Sequence, residues 1–84
     1  MTTTKPGRAA ALEFDDTPLI EVVAAFNRRN ELQIEVLDEE LEIMGVTGML
    51  DTRNPEALLQ LLELVFEVRV ERIDGRLVRL WPGE

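Results

Sequence analysis

Apolar side chains follow two rhythms along this chain, and each rhythm occurs twice. Leu19, Val22, Val23 and Phe26 recur at i, i+3, i+4 and i+7, which places them on one face of a helix. Ile20 and Ala24 widen that stripe at its edge. Leu58, Leu61, Leu62 and Val65 repeat the spacing and predict a second helix. Each helical run is followed by an alternating one, Leu32-Gln33-Ile34-Glu35-Val36 and then Phe66-Glu67-Val68-Arg69-Val70. A period of two predicts half-buried strands. The helix starts also match: Thr17-Pro18 and Asn54-Pro55 each pair a short polar side chain with proline. The polar oxygen can accept a hydrogen bond from a first-turn N–H, and proline in the first helical position lacks only an N–H that would have no partner there. The first helix closes on Asn27-Arg28-Arg29-Asn30, with arginines suited to the negative helix end and Asn30 suited to a left-handed exit.

The remaining extended pieces complete two β-α-β halves. Ala11-Leu12-Glu13-Phe14 alternates briefly and predicts a first strand ended by Asp15-Asp16. Residues 43–50 read as extended, with Gly45 and Gly48 as sites of a bulge or a close backbone approach. Ile73-Asp74-Gly75-Arg76 predicts a hairpin through a two-residue Asp-Gly turn, with residues 77–81 pairing back on 66–73 before Pro82-Gly83. The resulting fold class is α+β, in the order β-α-β-β-α-β-β. Neither one-sided helix is stable alone, so the economical solution packs them side by side under small sheets. Short sheets leave open edges that can pair with another chain. Residues 1–10 show no apolar period and read as a disordered lead-in, leaving 11–82 as the domain.

Charge and missing side chains narrow the function. Seventeen acids against nine bases give a net charge of -8, and Lys5 is the single lysine. A phosphate-binding surface needs clustered bases, so nucleic acid is excluded as a partner and so is direct contact with an anionic membrane. No apolar run approaches the ~20 residues of a spanning helix, and no basic-then-apolar secretory signal opens the sequence. The chain has no His, Cys, Ser or Tyr, which removes the usual nucleophiles, the proton carrier best matched to neutral pH and every thiolate or imidazole metal ligand. No catalytic residue, metal site or cofactor is expected, and the chain does not read as an enzyme. Asp38, Glu39, Glu40 and Glu42 form the densest acidic run. They lack the order of an EF-hand loop and read as a solvated acidic turn.

The residues also carry a resemblance. The run Leu12-Glu13-Phe14-Asp15-Asp16-Thr17-Pro18-Leu19-Ile20-Glu21-Val22-Val23, then Phe26-Asn27-Arg28, resembles the start of the secretin/TonB short N-terminal domain family. Val46-Thr47-Gly48-Met49-Leu50-Asp51-Thr52-Arg53-Asn54-Pro55-Glu56-Ala57-Leu58-Leu59 matches its second half. More narrowly, the Asn27-Arg28 step and this second run are similar to the C-terminal domain of FecR-type transmembrane anti-sigma regulators. The resemblance implies two helices sandwiched between a two-stranded and a three-stranded sheet. It further implies a periplasmic sensing module of an inner-membrane-anchored protein, whose partner is the N-terminal signalling domain of a TonB-dependent outer-membrane transducer. The alternatives are a ring-forming module of a secretin-type assembly and the transducer's own signalling domain. An open edge also allows a weak homodimer.

Candidate partner contacts are Leu12, Phe14, Arg28, Arg29, Met44, Val46, Met49 and Trp81. Leu12, Phe14, Val46 and Met49 lie on the strands expected to form the two-stranded sheet. Arg28 and Arg29 could receive an acidic partner, although helix-end charges balancing nearby acids are the commoner arrangement. Met44 and Met49 could form an adaptable surface, or more commonly fill gaps in the core. Trp81 could anchor an interface or cap the hairpin at the core edge. Arg69, Arg72, Arg76 and Arg79, interleaved with Glu67, Glu71 and Asp74, predict cross-strand charge pairs on a solvated face. The acidic balance of the domain favours a partner with a basic contact face. A calcium or zinc titration followed by thermal melting tests the reading of residues 38–42: no shift is expected, and micromolar affinity with a raised midpoint would overturn it.

Overall fold

Both helical rhythms become helices and the alternating runs become strands in the computed structural model, which describes residues 11–83. The elements are β1 (Ala11–Pro18), α1 (Leu19–Asn27), β2 (Gln33–Val36), α2 (Glu39–Glu42), β3 (Gly45–Asp51), α3 (Pro55–Leu64), β4 (Arg69–Asp74) and β5 (Leu77–Trp81). Strands β1 and β3 form an antiparallel two-stranded sheet. The other sheet has the order β2-β5-β4, with β2 parallel and β4 antiparallel to β5. This is the expected α+β order, with one helical turn, α2, added between β2 and β3. The lead-in expected over residues 1–10 lies outside the described residues.

The first strand runs further than its sequence suggests. Asp15-Asp16 does not end it but forms a bulge, because the register moves from Phe14 opposite Gly48 to Thr17 opposite Val46. Asp16 takes a left-handed φ of 52°, and its N–H donates to the Thr47 hydroxyl at 2.9 Å. Two glycines on β3 accommodate this distortion. Gly48 has a φ of 147°, and a Cβ on Gly45 would collide with the Asp16 carboxylate.

That bulge also changes the first helix start. Thr17 does not cap α1: its hydroxyl accepts the Asp15 N–H at 3.2 Å, and Pro18 occupies the cap position with no side-chain bond to the helix. The Leu19 N–H is satisfied by the Met44 carbonyl at 2.8 Å, so β3 does the work expected of a cap. The second start follows the sequence reading, with Pro55 first in α3 and the Asn54 side chain accepting from the Ala57 N–H at 3.3 Å. The acidic run forms a capped helical turn. The Asp38 carboxylate accepts the Leu41 N–H at 3.1 Å, and Leu41 is buried.

Side-chain amides hold the corner between α1 and β2. Asn27 donates to the Ile34 carbonyl at 3.0 Å and accepts from the Ile34 N–H at 2.9 Å. Gln33 donates to the carbonyls of Asn27 and Asn30, at 3.1 and 3.0 Å. Asn30 is not a left-handed residue; φ is positive only at Asp16 and Glu67 among the described non-glycine residues. Its side chain closes the helix instead, donating to the Phe26 carbonyl at 2.8 Å and to the Thr52 carbonyl at 2.7 Å. The second of these bonds ties the first half of the chain to the second.

One core fills the sandwich. Leu19, Val22, Val23 and Phe26 of α1 meet Leu58, Leu59 and Leu62 of α3, with Phe14, Val46, Ile34, Val78 and Leu80 closing the two sheets over them. The buried face of α3 is turned by a residue from the expected stripe: Leu59 is buried, Leu61 only half-buried, and Val65 is exposed at the C-cap. The strand expected from Phe66 starts at Arg69. Glu67 takes a left-handed φ of 57°, and the Val68 N–H reaches back to the Leu62 carbonyl at 2.9 Å. The hairpin turn is Gly75-Arg76 rather than Asp74-Gly75, and Gly75 is not left-handed. The Asp74 carboxylate accepts the Arg76 N–H at 2.7 Å, so a side chain closes the turn.

Two substitutions test this packing. Leu62→Ala should cost roughly 2–5 kcal/mol by thermal or denaturant unfolding, from lost transfer energy and a residual cavity. An unchanged midpoint would contradict the placement of the core. Asn30→Ala should cost roughly 1–3 kcal/mol, because the Thr52 carbonyl loses this donor and the Phe26 carbonyl keeps only the Arg29 N–H. A surface-like effect of a few tenths would show that the corner contributes little.

Candidate functional site

Three of the candidate contacts converge and the others disperse. Leu12 at the start of β1 and Arg28 and Arg29 at the end of α1 line a depression of about 570 Å³, together with Ala25 and Arg53. Folding brings Arg53 there because β3 turns into α3 beside the α1–β2 corner, where Asn30 grips the Thr52 carbonyl. Asn27 and Asn30 are turned onto the protein, while Arg28 and Arg29 between them are exposed. Arg53 is oriented by Asp51, whose carboxylate accepts its N–H at 2.9 Å and its guanidinium at 3.3 Å. These hydrogen bonds hold the Asp51 carboxyl below its usual range, and the charge of Arg29 pulls the same way. Arg53 and Ala25 were not candidates on sequence. Nothing local signals that a turn residue joins a helix end more than twenty positions earlier.

Phe14 and Val46 point inward. Val46 is 0% exposed, so a partner strand at this sheet could meet only their backbone. Met44 is half-buried against the core, as the gap-filling reading expects. Met49 is not a core residue: it is 65% exposed beside Glu13 on the outer side of the β1–β3 sheet. Trp81 lies on the other sheet, outside the core. Its indole N–H donates to the Glu71 carboxylate at 2.8 Å, and the Arg69 guanidinium sits 6.0 Å from its ring centre. Arg79 pairs with Glu35 on β2 at 3.1 Å, whereas Arg72 leaves the sheet and forks onto Glu56 of α3 at 2.6 and 2.9 Å. That fork holds the Glu56 carboxyl below its usual range.

The sheet edges are not equivalent. The outward edge of β2 is closed at Ile34, where Asn27 satisfies both backbone groups as a neighbouring strand would. Beside it lies an apolar groove of about 400 Å³, lined by Ile20, Val23, Ala24, Val36 and Leu37 among others, which sequence reading did not single out. The β1–β3 sheet has only two strands, so each keeps one unpaired side among the described residues. No three carboxylates among those residues gather closely enough to hold a metal ion. No helix among them is long and apolar enough to cross a membrane.

Known proteins share this architecture. Two crystal structures of a proposed anti-sigma factor from Parabacteroides distasonis superpose with TM-scores of 0.71 and 0.68, at 20% and 21% identity. Each comparison covers 88% of this chain and 34% of the other, so the chain spans about a third of those proteins. At that identity the likeness shows the fold. No curated protein matches the sequence. Residues 11–80 match the family model described as FecR, C-terminal. A match that runs from the first strand into the last makes this chain a member of the FecR C-terminal family.

Proposed function

We propose that this domain is the periplasmic signal-receiving module of a FecR-type anti-sigma regulator, and that its input is the N-terminal signalling domain of a TonB-dependent transducer. The observation that carries the reading is the two-stranded sheet, whose strands each keep an open side among the described residues. A strand of the partner can add there, gaining backbone hydrogen bonds while its alternate apolar side chains pack on the sheet. Leu12 and Met49, 40% and 65% exposed, supply apolar surface on that sheet. The β2 edge is a poorer acceptor because Asn27 already fills its centre. The acidic balance of the chain speeds encounter with a basic partner face and makes it salt-sensitive. Linkage to iron uptake belongs to the same proposal.

Hydrogen exchange with and without the cognate signalling domain tests this. New protection is expected in residues 11–18 and 45–51. Met49→Glu, at an exposed position, should weaken binding and leave the melting temperature nearly unchanged. Protection confined to the β4–β5 hairpin, with none in residues 11–51, would overturn the assignment. Concentration-dependent self-association that excludes the partner would favour a ring-forming or dimeric module instead.

A further inference from the structure

We infer that the depression where β1 begins, α1 ends and β3 turns into α3 is a carboxylate-binding site, which takes a Glu or Asp side chain from an extended segment of a partner protein. Arg28, Arg29 and Arg53 line it over a floor of Leu12 and Ala25. These are three of the nine bases in a chain of net charge -8, gathered at one end of the fold. The other described arginines are mostly spent within the domain: Arg72 on Glu56, Arg79 on Glu35 and Arg69 over Trp81. Asp51 offsets the charge of Arg53. No carboxylate among the described residues pairs with Arg28 or Arg29. Acids outnumber bases nearly two to one here, so two adjacent arginines with no ion pair among the described residues, Arg29 feeling Asp51 only at longer range, leave a local positive site on a negative body.

The chemistry selects a carboxylate on a peptide. A guanidinium presents a planar fork that matches a carboxylate with two parallel hydrogen bonds, and Arg28 and Arg29 are anchored through the backbone by the flanking Asn27 and Asn30. Leu12 and Ala25 exclude water from one side and offer contact to an apolar neighbour of the acid. A nucleic acid or other polyanion would meet the same arginines but also the repulsion of the remaining acids. One carboxylate between apolar neighbours gains the local attraction and meets little of that repulsion. The site therefore discriminates by charge density as well as sign. It stands whether or not the partner is a transducer signalling domain.

The test uses the whole chain, isotope-labelled, with a short capped peptide carrying one glutamate between valine and leucine. The readouts are the side-chain N–H resonances of Arg28, Arg29 and Arg53 and the methyl resonances of Leu12. Saturable shifts are expected at millimolar peptide, absent with glutamine in place of the glutamate. Arg28→Gln should weaken binding about fivefold, the scale of an exposed charge pair. Arg28→Gln/Arg29→Gln should abolish the shifts of Arg53 and Leu12 with the melting temperature retained. Equal shifts from the glutamine peptide, or no shift at all, would overturn the inference. Shifts from inorganic phosphate with none from the peptide would overturn it too, leaving a simple anion site.

Discussion

The hydrogen bonding of the Asn30 side chain is the constraint on which the rest of the structure depends. Its amide donates to Phe26 at the end of α1 and to Thr52 just after β3, so one side chain closes a helix and joins the two halves. Neither half can bury its apolar helix face alone; the core exists only when α1 and α3 share it. Thr52, fully buried at the junction, is the buried polar residue of the described chain. Losing the Asn30 donor there would cost a sizeable fraction of the stability of so small a domain.

The same corner arranges the surface. Asn27 and Asn30 bind backbone on the inside, which leaves Arg28 and Arg29 facing outward together. Asn27 closes the centre of the β2 edge, so the sheets differ in what they can accept. The three-stranded sheet presents a self-satisfied outer face of Glu35, Arg79, Glu71, Trp81 and Arg69. The two-stranded sheet keeps open sides with exposed Leu12 and Met49 near them. The fold, and the binding preference proposed for it, thus follow from a few polar side chains that choose backbone partners over water.

What the sequence made legible was local. Periodicity located both helices and the alternating strands, and Asn54-Pro55 announced the start of α3 because cap and helix are neighbours in the chain. Thr17-Pro18 looked the same and behaved differently, since the Leu19 N–H is taken by Met44 and the bulge claims the Thr17 hydroxyl. Val65 matched the helical stripe yet lies exposed, because Glu67 turns the chain back toward β4 just after it. Leu12, Arg28 and Arg29 stood out as candidate contacts one by one. Their meeting with Arg53 was not, because it depends on a hydrogen bond between residues 30 and 52.

A structure of this domain bound to the partner proposed for it, a transducer signalling domain, obtained from intermolecular nuclear Overhauser contacts, tests the account most directly. It should show a partner strand continuing the β1–β3 ladder on one of its open sides, with the loaded face reaching the arginine-lined end of the fold. Partner contacts gathered instead around Trp81 and Arg69, with both sides of the β1–β3 sheet left in water, would contradict it.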